Sequence, residues 1–235
     1  MRPLTGELLL DAWERAAGED DLWRPLTLLA LAGRTREDAA DLSVAERDLE
    51  LLRLRRMTFG DALRGCHPCG ACLTRVEFEI AVSSMIERLE GLRPMGVAGW
   101  RTERFTFSMR PATSRDLAAI AGSADPRRDL LARCTSVEPE GGDGPLSRCE
   151  SVAIDRFNEL NAGAETRFAV PCPACGAIAY ADLDIGRFLW TEIRHAAATL
   201  LRDVHDLASA YGWSEASILS MSGARRAKYL EMART

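Results

Sequence analysis

The sequence predicts an α+β protein that is mainly helical, with small β segments around a pair of zinc knuckles and a long C-terminal amphipathic helix. Three observations lead to this prediction. Apolar residues recur at spacings of three and four in several segments, Cys-x-x-Cys occurs at two distant places, and alternating polar and apolar residues follow each occurrence. The 235 residues, 47% of them hydrophobic, are enough for one sizeable domain or two small ones.

Helical periodicity, capping residues and terminating glycines place the predicted helices along the chain. The helix that begins at Ser43 is the best defined of the early ones, because Ser43 and Glu46 can form a capping box and Gly60 can end the helix. The predicted helices cover residues 8–17, 26–31, 43–59, 113–122, 126–134, 151–160, 185–211 and 214–219, with a last one after Ser222.

The predicted strands are short and cluster near the cysteines. Alternating patterns predict strands over residues 75–81, 105–109, 168–170 and 177–183. We expect residues 1–40 to form an N-terminal helical segment and residues 41–235 a zinc-clasped domain. The Gly- and Pro-rich loop at 138–146 is a candidate division within that domain.

The longest predicted helix begins near Ile185 and ends at Gly212. One side of it carries an apolar stripe at helical spacing, formed by Leu189, Ile193, Ala197, Leu200, Val204, Leu207 and Tyr211. Such a stripe predicts that the helix packs along a core over most of its length.

The two cysteine motifs resemble each other in sequence. Cys66-His67-Pro68-Cys69-Gly70 and Cys172-Pro173-Ala174-Cys175-Gly176 each precede an alternating segment. Two Cys-x-x-Cys turns can supply the four thiolates of a tetrahedral Zn²⁺ site, and a site with four protein ligands is structural because it has no open position. The predicted metal ligands are Cys66, Cys69, Cys172 and Cys175.

A third cysteine leaves open which two cysteines form the first ligand pair. Cys69-Gly70-Ala71-Cys72 is also Cys-x-x-Cys, so Cys72 could replace Cys66. We favour Cys66 and Cys69 because the glycine and the strand that follow them match the second motif. Thiol–disulfide exchange is the main competing chemistry for Cys-x-x-Cys, but it is typical of a motif at a helix start rather than before a strand.

Composition and motifs argue against several classes of function. The net charge of −5 gives no overall support for nucleic-acid binding, and no apolar run is long enough for a membrane span. Phosphate-binding loops, nucleophile elbows and zinc-protease motifs are absent from the sequence. The acidic pairs Glu77/Glu79 and Asp182/Asp184 fit the solvent side of strands better than a catalytic pair. We therefore expect a cytoplasmic protein that is not an enzyme and has no small-molecule substrate.

Two longer patterns resemble a known family. Residues 42–60 match Asp-x-x-Leu-Leu-x-x-Arg-x-x-Thr-Phe-Gly from Asp48 to Gly60, just before a Cys-x-x-Cys-Gly. Residues 212–231 match Gly-Trp-x-Glu-x-x-Ile-Leu followed by Arg-Arg-x-x-Tyr-Leu-Glu. Both patterns are similar to the T-even-type phage baseplate protein family, which includes bacterial relatives encoded with contractile injection systems.

The resemblance covers roughly residues 40–233 and implies a role without catalysis. It implies an assembly factor or structural component of a phage-tail-like baseplate, with baseplate or tail proteins as partners and the two cysteine pairs as a metal site. Such a protein could itself become part of the particle. Cys72 departs from the family pattern. The alternative class is a zinc-ribbon regulator that binds nucleic acid.

Overall fold

The computed structural model describes residues 1–92, 96–139, 144–164 and 166–233. The predicted fold class is confirmed: the protein is α+β and mainly helical, with small antiparallel sheets and a long helix near the C-terminus. In the described ranges, the helices are α1 (Glu7–Ala17), α2 (Arg24–Leu31), α3 (Arg36–Asp41), α4 (Val44–Phe59), α5 (Val82–Gly91), α6 (Ser114–Ile120), α7 (Pro126–Cys134), α8 (Gly144–Ser147), α9 (Glu150–Leu160), α10 (Ile185–Tyr211), α11 (Glu215–Leu219) and α12 (Gly223–Ala233). The strands are β1 (Ala62–Pro68), β2 (Arg75–Ala81), β3 (Ala98–Arg101), β4 (Thr106–Met109), β5 (Thr135–Glu138), β6 (Arg167–Pro171) and β7 (Ile178–Asp182).

The main hydrophobic core joins the N-terminal helices to α4, α5 and the first half of α10. Leu28 of α2, Leu51 and Leu54 of α4, and Leu189 and Ile193 of α10 are fully buried in it. Buried residues of the N-terminal forty positions belong to this same core. Burial of such large aliphatic side chains contributes about 1.5–3 kcal/mol each, so this core dominates the stability of the fold.

Helix α4 begins and ends as its sequence predicts. The Ser43 hydroxyl accepts a hydrogen bond from the Glu46 backbone N–H at 3.2 Å, and the Glu46 carboxylate accepts one from the Ser43 N–H at 3.1 Å. Gly60 ends the helix at a φ of 88°, in the left-handed region that glycine adopts without a steric cost. Both ends of α4 are therefore determined by local residues.

Arg55 is a buried charge that connects α4 to α10 and to the start of β1. Its side chain is 3% exposed and donates two hydrogen bonds to the Glu192 carboxylate, at 2.7 and 3.0 Å. It also donates to the carbonyl oxygens of Gly60 and Ala62 at 2.8 and 2.9 Å. The planar guanidinium satisfies all these acceptors at once, which sets the position of β1 relative to α10.

A second, smaller core lies between the three-stranded sheet β3-β4-β5 and helices α7 and α9. Met109, Leu131 and Leu160 are buried in it. The Val44 N–H donates to the Ala112 carbonyl at 2.8 Å, so the start of α4 is joined to this unit.

Asp116 is the buried acid of this second unit. Its carboxylate accepts two hydrogen bonds from Arg110, at 2.6 and 2.9 Å, and others from the hydroxyl and N–H of Thr113, while Arg133 lies 3.4 Å away. Burial by itself would raise the pKa of Asp116, but these donors outweigh burial and hold the pKa well below its usual range.

This network predicts a specific acid sensitivity. Because the folded-state pKa is depressed, Asp116 stabilises the fold above its unfolded pKa of about 3.9 and loses that contribution as the pH falls below it. We expect Asp116→Asn to destabilise the protein at pH 7 by about 3 kcal/mol, because two arginines lose their buried acceptor. The difference between variant and native stability should shrink between pH 5 and pH 3 in urea titrations.

Asp155→Asn is the matched control for that measurement, because Asp155 is an exposed carboxylate on α9. Comparing stabilities at each pH removes any other effect of acid that the three proteins share. A gap between native protein and Asp116→Asn that stays constant from pH 7 to pH 3 would contradict the role of the ionised carboxylate.

Helix α10 has 27 residues and contributes side chains to the main core and to a small C-terminal cluster. The first half of its predicted stripe faces the main core, and Leu207 packs with Ile218 and Leu230 in a small C-terminal cluster. The predicted stripe is wrong at its last residue, Tyr211. This side chain is exposed and stacks on Trp213 with ring centroids 4.5 Å apart. Within the described ranges, no helix is both long and apolar enough to cross a membrane.

Six elements of the described chain lie outside the sequence predictions: α3, β1, α5, β3, β5 and α8. Strands β3 and β5 each carry a single large apolar side chain, Trp100 and Val137, so neither shows the alternation that predicted β4. Helix α5 starts directly after β2 without a capping side chain, so no local signal marks its first residue. The candidate division at 138–146 includes residues 140–143, which lie outside the described residues.

Candidate metal centre

Two β-hairpins carry the cysteines of the candidate centre. β1 pairs antiparallel with β2, and β6 pairs in the same way with β7. The turn of the first hairpin contains Cys69 and Cys72, and the turn of the second contains Cys172 and Cys175. On the main-core side, the rings of Phe78 and Phe168 approach to a centroid distance of 6.3 Å, so the two hairpins lie against each other.

The two turns have the same backbone hydrogen bonds. The Cys69 N–H donates to the Thr74 carbonyl at 2.9 Å, and the Leu73 N–H donates to the Cys69 carbonyl at 2.8 Å. The second turn repeats this pattern, with Cys172 N–H to Ala177 carbonyl at 2.8 Å and Gly176 N–H to Cys172 carbonyl at 2.9 Å. The two knuckles are therefore structurally equivalent.

The sulfur atoms of the two knuckles meet at one point. The Sγ atoms of Cys69, Cys72, Cys172 and Cys175 all lie within 4.8 Å of one another. The sulfur–sulfur contacts between the hairpins include Cys69–Cys175 at 3.7 Å and Cys72–Cys172 at 3.6 Å. A tetrahedral Zn²⁺ with Zn–S bonds of about 2.3 Å requires sulfur–sulfur edges of about 3.8 Å, so the group has the dimensions of a four-thiolate zinc site.

The charges of these sulfurs also favour a cation. The Thr74 hydroxyl and N–H lie against the Cys72 sulfur and lower the pKa of that thiol to about 6. The Ala177 N–H acts in the same direction on Cys175, but the neighbouring sulfurs outweigh it and raise the pKa of Cys175 to about 12. Four crowded thiolates repel one another, and a divalent cation among them removes that repulsion.

The sulfur group differs from the predicted ligand set at one position. It brings Cys69, Cys172 and Cys175 together, but the fourth member of the group is Cys72 and not Cys66. Cys66 lies within β1, opposite Glu77 and on the exposed face of the strand. Strand β1 continues to Pro68, so the first turn cannot begin before Cys69.

The positions of the glycines explain why the sequence pattern favours Cys66, which lies outside the sulfur group. In the second knuckle, Gly176 follows the last cysteine with a φ of 74°. The equivalent position in the first knuckle is Leu73, with a φ of 62°, and a leucine there does not signal a turn. Gly70, which completes the apparent first motif, is not among the residues with positive φ.

Aligned on the true knuckles, the two hairpins form an internal repeat without insertion or deletion. Residues 69, 72 and 82 correspond to 172, 175 and 185, each 103 positions later, and 82 and 185 are the first residues of α5 and α10. The cross-strand ion pair Arg64–Glu79 recurs at the same offset as Arg167–Asp182, with N–O distances of 2.6 and 2.7 Å. The candidate centre is therefore formed by two copies of one hairpin–helix unit.

Leu73 provides a test of knuckle geometry. Its side chain is 79% exposed, so a substitution to glycine removes almost no contact but relieves the left-handed backbone strain. After allowance for the greater freedom of glycine in the unfolded chain, we expect Leu73→Gly to stabilise the protein by about 0.5–1 kcal/mol in urea unfolding.

Two substitutions serve as controls for Leu73→Gly. Leu73→Ala removes the same exposed side chain but retains the strained φ, so its stability should stay within about 0.5 kcal/mol of the native protein. Gly176→Ala places a Cβ on the equivalent left-handed position and should cost about 1 kcal/mol. Equal effects of Leu73→Ala and Leu73→Gly would contradict the strain assigned to this position.

The other side chains that could take part in chemistry form ion pairs and helix caps or are buried. Asp182 pairs with Arg167, and Asp184 caps α10 by accepting a hydrogen bond from the Arg187 N–H at 3.0 Å. Burial raises the pKa of the Cys134 thiol to about 11, which makes it a poor nucleophile at neutral pH. Within the described ranges, the four-cysteine group is the one cluster of histidine, cysteine and acidic side chains that could hold a metal ion.

In comparisons with protein-family models, with curated proteins and with solved structures, nothing matched this chain.

Proposed function

We propose that this chain is a non-enzymatic protein clasped by a structural Zn²⁺ on Cys69, Cys72, Cys172 and Cys175. We further propose that it acts as an assembly factor or structural component of the baseplate of a phage-tail-like contractile particle. The observation that carries the zinc assignment is the closed group of four sulfurs between two equivalent hairpins. Four thiolates complete the coordination of Zn²⁺, which leaves no position for a substrate or a reactive water.

The surroundings of the sulfurs support a structural role for the metal. The hydrophobic cluster at the knuckles is very small: besides two of the cysteines, its buried members are Val76 and Ala179. Such a cluster contributes too little to hold two hairpins together, and small units of this kind need a metal or disulfides. In the proposed protein, zinc supplies that stabilisation and fixes the units that lead into α5 and α10.

The baseplate assignment rests on the two sequence patterns, and the contacts of their residues support a role in the architecture. Leu51 and Leu52 are buried in the main core, Arg55 binds Glu192, and the Thr58 hydroxyl accepts a hydrogen bond from the Leu4 N–H at 3.1 Å. In the C-terminal pattern, Ile218 packs in the small cluster around Leu207 and Leu230. A pattern made of packing and buried hydrogen bonds is what a scaffold requires.

The zinc proposal is tested by metal analysis of the purified protein. We expect one zinc per chain by inductively coupled plasma mass spectrometry. Removing the metal with a chelator under reducing conditions should lower the melting temperature, and added Zn²⁺ should restore it. A metal-free protein with the same melting temperature as the purified form would refute a structural zinc.

The baseplate proposal is tested by co-expression with the baseplate and tail subunits of a contractile particle from the same genome. We expect the chain to copurify with at least one of these subunits, and the Cys66→Ser variant to do so equally well. The Cys72→Ser variant should lose the interaction if the zinc clasp shapes the binding surface. Recovery of the folded, zinc-loaded chain without any baseplate or tail subunit would rule the proposal out, and salt-sensitive binding to DNA or RNA would favour the nucleic-acid alternative.

A further inference from the structure

The four cysteines are not equally exposed, and their exposure follows the repeat. In each knuckle the first cysteine is buried, Cys69 at 1% and Cys172 at 2% exposure, whereas the second, Cys72 or Cys175, is exposed. An oxidant that arrives from solvent therefore meets one cysteine of each hairpin before the other.

Two sulfur contacts between the hairpins pair an exposed cysteine with a buried one. Cys72 is exposed and lies 3.6 Å from the buried Cys172, and Cys175 is exposed and lies 3.7 Å from the buried Cys69. Each cysteine that an oxidant reaches first thus has a buried cysteine of the other hairpin in sulfur contact with it. The offset of 103 positions relates Cys69 to Cys172 and Cys72 to Cys175, so the repeat makes the two pairs equivalent.

We infer that a hydroperoxide converts the proposed zinc clasp into a covalent one by forming two disulfides between the hairpins, Cys72–Cys172 and Cys69–Cys175. This inference depends on the proposed zinc site. Its consequence is that the metal leaves while the two hairpins remain joined, so the hairpins keep their arrangement after oxidation but lose it after chelation.

The chemistry balances with hydrogen peroxide as the oxidant. The Cys72 thiolate attacks one peroxide oxygen, the O–O bond breaks, and a sulfenic acid and hydroxide form. The Cys172 thiolate then attacks the sulfenic sulfur, so that the S–S bond forms, the S–O bond breaks and a second hydroxide leaves. Each pair consumes one peroxide and two protons and yields one disulfide and two waters. Two peroxides therefore remove all four thiolates and release one Zn²⁺.

Chain connectivity explains why this outcome preserves the fold. A disulfide between the hairpins closes a loop of about 100 residues, and long loops restrict the unfolded chain the most. A disulfide within one Cys-x-x-Cys turn would leave the hairpins unconnected. The two connectivities therefore differ in stability as well as in mass.

The test uses the full-length, zinc-loaded protein titrated with hydrogen peroxide. A chromogenic chelator should register one Zn²⁺ released per two peroxides. After trypsin cleavage without reduction, peptides 65–75 and 168–187 should appear as one cross-linked species, and fragmentation should assign the two bonds. The Cys66→Ser variant should give the same product, because Cys66 lies outside the sulfur group.

A second measurement separates this inference from the zinc proposal. Amide hydrogen exchange over residues 62–81 and 167–182 should keep its protection in the oxidised, zinc-free protein. In the reduced, chelated protein the protection should fall by about 100-fold. Three outcomes would overturn the inference without contradicting the zinc proposal. They are disulfides within each knuckle, disulfides to Cys66, and loss of protection on oxidation. A purified protein without zinc would instead overturn the proposed function.

Discussion

Replacing Cys72 by serine is expected to abolish stable zinc binding, whereas replacing Cys66 by serine is expected to leave it intact. Cys72 belongs to the sulfur group, and Cys66 lies on the exposed face of β1. A serine hydroxyl is neither a thiolate nor readily deprotonated, so Cys72→Ser leaves an incomplete coordination shell. Because structural zinc contributes on the order of 10 kcal/mol to small zinc-dependent folds, we expect several kcal/mol of destabilisation.

The two serine variants are matched, because each removes one exposed cysteine of the same hairpin. We expect Cys72→Ser to have lower metal content, weaker zinc binding in chelator competition and lower stability in urea than Cys66→Ser. Cys175→Ser, at the position equivalent to Cys72 in the repeat, should behave like Cys72→Ser. The assignment of ligands would be wrong if Cys66→Ser lost zinc and Cys72→Ser retained it.

Replacing Arg55 by alanine is expected to destabilise the protein by about 3 kcal/mol, the lower end of the range for breaking a buried ion pair. The substitution leaves the Glu192 carboxylate and the carbonyls of Gly60 and Ala62 without their donor. We place the effect at the lower end because the Glu192 side chain is 24% exposed and retains some hydration. Urea unfolding at neutral pH measures this loss.

Arg55 should also affect the metal centre, although it does not touch it. It binds the first residue of β1 and a residue of α10, and these elements belong to opposite hairpin–helix units. Loss of this link should leave the two half-sites less well aligned, and we expect about tenfold weaker zinc binding in chelator competition, as for other residues that support metal ligands indirectly.

Two further variants test that explanation for Arg55. Arg56→Ala removes a neighbouring arginine whose side chain is 51% exposed and pairs with Asp61 at 3.1 Å, so it should cost less than 1 kcal/mol and leave zinc affinity unchanged. Arg55→Lys keeps the charge but cannot reach all the acceptors with one planar group, and should recover less than half of the lost stability. Equal losses in Arg55→Ala and Arg56→Ala would contradict the buried network.

Local sequence signals predicted the elements that are determined locally. The capping box of Ser43 and Glu46 and the stop at Gly60 delimit α4 as predicted, because both depend on residues within one helical turn. The apolar stripe predicted α10 and most of its buried residues for the same reason. Buried polar links such as Arg55–Glu192 could not be predicted, since the partners are 137 positions apart and neither carries a local signature.

The sequence by itself determined a mainly helical α+β fold and two cysteine knuckles of zinc-ligand spacing. Only the tertiary structure decided which cysteine completes the first knuckle. The choice between Cys66 and Cys72 depends on how far β1 extends along β2, and on where a hairpin 103 positions later places its sulfurs. Strand pairing places Cys66 within the ladder and leaves the turn to Cys69 and Cys72. At the turn, Leu73 takes the left-handed conformation that Gly176 has in the second knuckle, so the sequence carries no glycine to mark it.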